Sequence, residues 1–428
     1  MRNFLCIILS LFLVFPSMLA NAAYVEEVPA EFVEGEVLVK YKEHKVDLES
    51  DRSVESVANS LDNLNSDLVE VFEEQNVALV NGEDTFSLIE DLSSDPNVEY
   101  VEPNYVRSVN FVPNDTYYEF QWALENRGGE IYPEVFATDD ADIDAVNDFE
   151  TPNVSPDVVV AVLDTGIKLT HVDLDNNLWD GSAGCKDENN VTIVGGCPHA
   201  GYDFVNEDNN PTDDHYHGTF VAGIIGAEGN NNQGLVGVTS DVQIMAVKFM
   251  NSGGNGSVAD EIRAINFAKN NGAQIINASF GGGGYSETEE AAIANFGGLF
   301  VAAAGNDSSD NDIENTYPAD YDLPNVISVA STDYNDLLSD FSNFGANNVD
   351  LAAPGTFIFS THYASNTAYA SSEGTSFSTP FVVGAAALLL NLNPEFTPAQ
   401  LRYVLMNSGD PLDSLDGITV SGKRLNIK

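Results

Sequence analysis

A doubly wound α/β domain with a mostly parallel sheet and helices on both faces, preceded by a small α+β domain, is the fold class that this 428-residue sequence predicts. Two patterns carry that expectation. From residue 158 onward, apolar runs of strand length recur with helical stretches between them. Strands that are apolar on both faces imply a parallel sheet covered on both sides. Before residue 110, shorter segments follow the order β-α-β-β-α-β, that of a split βαβ unit. With 43% apolar and 19% charged residues, the composition is that of packed domains and not of a disordered tail.

The elements follow in order. Met1 and Arg2 precede an apolar run from Phe4 to Leu19 and small residues at Ala20-Asn21-Ala22. This reads as a secretory signal over residues 1–22, cut after Ala22, and so as a secreted protein. The competing reading is a membrane anchor, but the run is short of the ~20 residues that span a bilayer. Glu36–Tyr41 alternates like a strand, and Val54–Leu64 has helical spacing. Leu68–Phe72 and Val77–Val80 are strands, Phe86–Leu92 is a second helix and Val98–Pro103 is a last strand. Residues 104–114 carry no strong pattern and read as a linker, so the first domain spans 23–110 and the second 111–428. In the second domain, Val158–Leu163, Val242–Phe249, Gln274–Ala278, Leu299–Ala304 and Val326–Ala330 are the buried strands. Ser257-Val258-Ala259-Asp260 opens a helix with a capping-box pattern, and Gly272 closes it. Phe381–Leu392 has the length of a buried core helix.

Charge narrows the partners. Sixteen basic and 67 acidic residues give a net charge of −51. Such a surface repels a phosphate backbone and an anionic membrane, so neither nucleic acid nor membrane is an expected partner. Residues 111–428 hold 45 acids and 10 bases, a net −35 that salt or divalent ions would screen, and a saline habitat is compatible with it. Of three cysteines, Cys6 lies in the leader. Cys185 and Cys197 remain as an even pair, which in a secreted chain reads as a disulfide. A metal site using both cysteines and His199 is the rival, without a C-x-x-C pair to support it.

In parallel sheets the reactive groups gather at the carboxyl ends of strands. There the run ending at Leu163 is followed by Asp164-Thr165-Gly166. His217-Gly218-Thr219 precedes a small apolar helical stretch, and Gly374-Thr375-Ser376 precedes the long buried helix. Taken singly, Asp164 could be a turn former, His217 an exposed loop residue and Ser376 a helix cap. Together they suit nucleophilic acyl transfer: a serine hydroxyl needs a base, and an imidazole needs a carboxylate to fix its tautomer and balance its charge. The chain order Asp, His, Ser excludes the α/β-hydrolase order, and Ser378 breaks the G-x-S-x-G elbow.

The segments Asp164–Ile167, His217–Gly223 and Gly374–Pro380 resemble the three signature motifs of the subtilisin-like serine proteases, closest to the thermitase-like branch. The resemblance covers about residues 113–428, and residues 24–110 resemble that family's inhibitory pro-domain. It implies a subtilisin-like fold and a serine endopeptidase with Ser376 as nucleophile, His217 as general base and Asp164 as its orienting carboxylate. Ala303-Ala304-Gly305-Asn306 resembles the oxyanion segment, so the Asn306 amide and the Ser376 N–H would donate to the tetrahedral intermediate; otherwise Asn306 is a turn residue after a strand. Gly253, Gly254 and Gly256, with Ser279, Phe280 and Gly281, resemble substrate walls that pair with an extended polypeptide. Asp307 would border the first specificity pocket, or else be a solvated surface acid. Phe220 and Phe377 depart from the common motifs, which have histidine and methionine there.

The resemblance also implies structural Ca²⁺. Asp203, Asn206 and Asp208 would supply one loop site, and Asp115, Asp173 and Asn231, with Asn230 as the alternative, a second. It implies a monomer whose pro-domain acts as chaperone and inhibitor and is removed by self-cleavage within residues 105–113, with Asn110 as the chosen point. A catalytically silent, calcium-binding protein on the same scaffold is the alternative function.

Overall fold

Every second residue of the first strand is buried, with Val37, Val39 and Tyr41 facing one core. That strand, β1 (Phe32–Tyr41), is followed by α1 (Asp51–Leu61), β2 (Asp67–Phe72), β3 (Val77–Asn81), α2 (Thr85–Ser93) and β4 (Val98–Tyr105). The four strands form an antiparallel sheet in the order β2-β3-β1-β4, with Leu38 of β1 set between Leu79 and Glu102. Val57, Leu61, Leu88 and Leu92 of the two helices close the core against it. Asp84 starts α2 by accepting the Ser87 N–H at 2.7 Å. The last strand continues two residues beyond its expected end at Pro103, which pairs with Val37. An edge strand tolerates this proline because one side needs no donor.

The structure is a computed structural model and describes residues 32–427 apart from 43, 62, 63, 65, 83, 106–111, 133, 134, 140, 146–157 and 283. The leader with its cut after Ala22, and the processing point after Asn110, lie outside the described residues. Two units separate at Met1–Val109 and Asn110–Lys428.

The second unit begins with a hairpin, β5 (Arg127–Tyr132) and β6 (Val135–Asp139). It continues through β7 (Val158–Asp164), β8 (Gly201–Asp203), α3 (His217–Gly226), β9 (Val242–Lys248), α4 (Val258–Asn270), β10 (Ile275–Ala278), α5 (Glu287–Phe296), β11 (Leu299–Ala303), β12 (Val326–Thr332) and β13 (Leu351–Pro354). A second hairpin, β14 (Ile358–His362) and β15 (Ala368–Ser372), precedes α6 (Thr375–Leu392), α7 (Pro398–Ser408), β16 (Asp410–Pro411) and β17 (Lys423–Arg424). The nine-stranded sheet has the order β16-β17-β13-β12-β11-β10-β7-β9-β8 and is parallel except for the β16–β17 pair.

Both faces are covered, as apolar strands require. Val160 and Val162 of β7 pack with Phe220 of α3 and Val382 of α6 on one side. Ala161 and Leu163 pack with Phe267 and Ala268 of α4 on the other. The α6 helix is apolar and long enough to cross a membrane, but most of it is buried inside this unit. Ser257 caps α4 by accepting the Asp260 N–H, as the capping-box pattern anticipates. Sequence reading missed the two hairpins and, within the nine-stranded sheet, the strands that are short or small: β8 has three residues, and β13 is Leu-Ala-Ala-Pro. Cys185 and Cys197 form a disulfide across 12 positions, and no described group of three His, Cys, Asp or Glu side chains forms a metal cluster there or elsewhere.

Candidate active site

The carboxyl end of β7 delivers Asp164 to the point where α3 begins. His217 Nδ1 lies 3.0 and 2.9 Å from the two carboxylate oxygens of Asp164. Asp164 is 1% exposed and the His217 side chain 17%, so the carboxylate is buried and only the imidazole reaches solvent. The approach is close because residue 218 is glycine. A Cβ there would come within 2.2 Å of the Gly166 carbonyl oxygen and 3.0 Å of the Asp164 Cβ. Burial pushes the His217 pKa down, but the charge and hydrogen bond of Asp164, helped by Asp213, outweigh it and hold the pKa above the ordinary imidazole value.

Ser376 stands in the first turn of α6, where the helix dipole places partial positive charge. Its Oγ donates to the Ser279 carbonyl at 3.0 Å, and the Ser279 hydroxyl donates to the Ser376 carbonyl at 2.7 Å. The second bond has a cause in the sequence. Pro380 has no N–H to give the carbonyl four residues earlier, so the Ser376 carbonyl takes the Ser279 hydroxyl instead. Asn277 Nδ2 holds that hydroxyl at 2.9 Å. The segment after β10 is thereby tied to the start of α6.

Asn306 follows β11. Its Oδ1 accepts from the Thr375 N–H at 2.8 Å and the Thr375 hydroxyl at 3.0 Å. Those donors settle the orientation of the amide and leave Nδ2 for a ligand. A cavity of 520 Å³ is lined by Asn306, Ser376, Asp307, Phe280, Gly281 and Glu314 among others. Thus the cavity brings together the expected Phe280, Gly281, Asn306, Asp307 and Ser376, with Ser279 bonded beneath. Gly253, Gly254 and Gly256 lie outside its lining, in the loop that Asn251 closes with Asn255 before α4. Gly256 packs tightly there, since a Cβ would meet the Phe249 ring at 2.6 Å. Phe377 points away from the cavity: it is buried on Phe220 at 4.4 Å and beneath His217 at 5.4 Å between ring centres.

The expected cation ligands fall in two places. In the loop after β8, Asp203 Oδ1 accepts from Val205 and Asn206 N–H groups at 2.7 and 2.9 Å, and its Oδ2 from Asn206 Nδ2 at 2.8 Å. Asp208 Oδ1 accepts from Asn210, and Glu207 leaves the loop to pair with Arg263 at 2.7 Å. At the other place, Asp115 and Asp173 are both buried. Asp115 accepts from Asn230 and Asn231 N–H groups, and Asp173 from Asn231 Nδ2, the Leu235 N–H and the Tyr369 hydroxyl. Burial, with the neighbouring Asp173 charge, raises the Asp115 pKa against the pull of those N–H donors.

Three residues that sequence reading passed over belong to the site. Thr375 orients Asn306. Thr165 donates its N–H to Asp164 Oδ1 at 2.6 Å and accepts the Gly218 N–H at 3.1 Å. Asp213 is buried and accepts the Thr165 hydroxyl at 2.9 Å. Thr165 and Thr375 sit inside the quoted motifs, so neighbourhood alone could have flagged them.

The model of the subtilase family matches residues 155–421, and that of the fervidolysin N-terminal prodomain matches residues 19–104. The thermophilic serine proteinase of Bacillus sp. (strain AK1) is 36% identical over 361 residues, which cover 84% of this chain and 78% of that protein. Thermitase of Thermoactinomyces vulgaris is 36% identical over 267 residues, 62% of this chain and 85% of its own. Among solved structures, a cold-adapted subtilisin-like serine proteinase aligns with a TM-score of 0.55 at 29% identity, over 74% of this chain and 99% of the other.

Proposed function

The chain belongs to the subtilase family of serine endopeptidases and carries an N-terminal prodomain, and from that premise we propose that Ser376 is its nucleophile, His217 its general base and Asp164 the carboxylate that orients the imidazole. The observation that carries the assignment is the Asp164–His217 pair at 2.9 Å; Ser376 and the amide of Asn306 line one cavity, and Phe377, the residue after Ser376, packs on the His217 ring.

In this reading His217 Nε2 takes the Ser376 proton as Oγ attacks the scissile carbonyl. The raised affinity of His217 for that proton helps it to hold the charge. The carbonyl oxygen becomes an oxyanion between the Ser376 N–H and Asn306 Nδ2, whose aim Thr375 fixes before substrate arrives. His217 then returns the proton to the leaving amine, and water repeats the sequence on the acyl-enzyme. The substrate is polypeptide, paired as an added strand along Ser279–Gly281 and the Gly253–Gly256 loop. Asp307 favours a basic or neutral side chain before the cut.

The reading includes export through residues 1–22, action as a monomer, and a prodomain that chaperones folding and inhibits until it is cut near Asn110. It also includes structural Ca²⁺. Asp115 and Asp173 are hard oxygen donors, buried and close enough for one charge to raise the other's pKa, so a divalent cation fits between the segments that carry them. Asn231 or Asn230 would complete that site, and Asp203, Asn206 and Asp208 would hold a second ion. The cation would fasten these loops and takes no part in the chemistry.

The test is the intact mass of secreted wild type beside Ser376→Ala. Loss of about residues 23–110 from wild type alone supports self-processing by Ser376. Equal shortening of both would assign maturation to another protease, and full-length masses for both would refute the reading.

A further inference from the structure

Helix α3 starts with an uncapped turn. Its cap position is Tyr216, which has φ of +131° and gives no side-chain hydrogen bond to the helix. A side chain in that backbone region is strained and must be held by its surroundings. The first-turn N–H groups also need acceptors. One residue supplies both. Asp213 is 5% exposed, and its Oδ1 accepts from the N–H groups of His215 at 2.9 Å and Tyr216 at 3.2 Å. Its Oδ2 accepts from the Thr219 N–H at 3.1 Å and from the Thr219 hydroxyl.

A fifth donor reaches beyond α3. The Thr165 hydroxyl gives its proton to Asp213 Oδ1 at 2.9 Å and receives the Gly218 N–H at 3.1 Å. Thr165 is the residue after Asp164, and its own N–H is bonded to the Asp164 carboxylate. A closed set of hydrogen bonds therefore runs from Asp164 through Thr165 and Asp213 to both sides of His217. None of the donors to Asp213 is a cation. The neighbouring Asp214 takes the buried Lys248, whose Nζ also holds the Thr165 carbonyl at 2.6 Å.

We propose that Asp213 is a positioning residue of the catalytic machinery, a buried carboxylate that locks the helix bearing His217 to the turn bearing Asp164 and places a second negative charge behind the imidazole. The proposal rests on the triad reading given above. A carboxylate near the N-terminus of a helix is favourable in itself. What a simple cap lacks is the bond to Thr165 and the charge felt at His217. The groups that share this charge environment are Asp164, the His215 ring at 6.5 Å from His217, and His362, which stacks on Tyr216 and also feels Asp213. The Lys248–Asp214 pair stands beyond Thr165.

The experiment uses full-length chains, matured where they mature, and reads kcat and KM separately across pH on one chromogenic peptide. Ser376→Ala is the blank. Asp213→Asn keeps the size but loses the charge and turns an amide toward the Thr219 donors. The expected result is a fall in kcat on the order of 10- to 100-fold, KM little changed, and the acid limb of kcat/KM moved to lower pH. Thr165→Val removes the link but leaves the charge, so kcat should fall while the acid limb stays in place. An Asp213→Asn enzyme with kcat within threefold of wild type and an unmoved acid limb would overturn the proposal. If that variant does not fold, Thr165→Val decides, and unchanged kcat there overturns it. A wild type without Ser376-dependent activity would overturn the triad reading, and this inference with it.

Discussion

Gly218→Ala adds one methyl group where α3 meets the Asp164 turn. Its Cβ would sit 2.2 Å from the Gly166 carbonyl oxygen. A relaxed carbon–oxygen contact needs about 3.3 Å. The start of the helix must then retreat by about 1 Å, and the obstacle is backbone, which cannot rotate aside. The retreat acts across the gap that the 2.9 Å bond between His217 and Asp164 spans. A catalytic group misplaced by about 1 Å costs on the order of 100-fold in rate, so kcat should fall by about that factor while KM changes little. Overpacking should cost roughly 1–3 kcal/mol of stability, a drop of several degrees in Tm. Steady-state kinetics well below the midpoint, with Tm measured in a Ser376→Ala background to prevent autolysis, separates the two effects. A folded Gly218→Ala enzyme with kcat within threefold of wild type would refute the reasoning, because the contact would then have relaxed without moving His217.

Three further outcomes follow from the same geometry. Asn306→Ala should lower kcat by about 10²–10³ with little change in KM, a magnitude taken over from removal of the corresponding amide donor in subtilisin itself; a loss under tenfold would remove Asn306 from the oxyanion role. Glu261 of α4 and Glu289 of α5 are both buried; desolvation first, and then the Glu289 charge and hydrogen bond, raise the Glu261 pKa well above the ordinary value. The native state therefore keeps a proton that the unfolded chain has released, so this stability is full at acid pH and is lost as pH rises from about 4 through the raised native value. Glu261→Gln should flatten that decline in Tm, and a parallel shift at every pH would count against it. Chelation should lower Tm by leaving the Asp115 and Asp173 charges uncompensated, and Asp115→Asn should shrink the effect; a Tm indifferent to chelator would exclude the cation.

Much of the fold was legible because strands buried on both faces must be apolar throughout. β7, β9, β10, β11 and β12 all announce themselves this way. β13 does not, since Leu-Ala-Ala-Pro is short and small, and its neighbours define it as a strand only after the sheet has formed. The same division holds at the site. Asp164, His217 and Ser376 carry glycine contexts that sequence reading can weigh, and the first two meet in space. In acid-rich loops composition does not say where each acid goes: Glu207, inside the run from Asp203 to Asp208 but not among its expected ligands, turns to Arg263.

Asp213 and Asp214 show where reading stops. They are adjacent, chemically alike, and two of 67 acids in the chain. Nothing in their order says which will be buried. The fold separates them by sending the two side chains to different partners. Asp214 is half exposed and meets the buried ammonium of Lys248 from the outside. Asp213 turns inward to five donors, four of them within six residues of it and the fifth supplied only once Thr165, 48 positions earlier at the end of β7, has been brought up to it. A link assembled by topology, such as that from Thr165 to Asp213, leaves no periodicity, no spacing and no glycine signature behind it. The role of Asp213 is visible as unmet need elsewhere: an uncapped helix, a tyrosine at positive φ and the hydroxyl of a threonine just past the end of β7 all point to the same corner, and one carboxylate satisfies them.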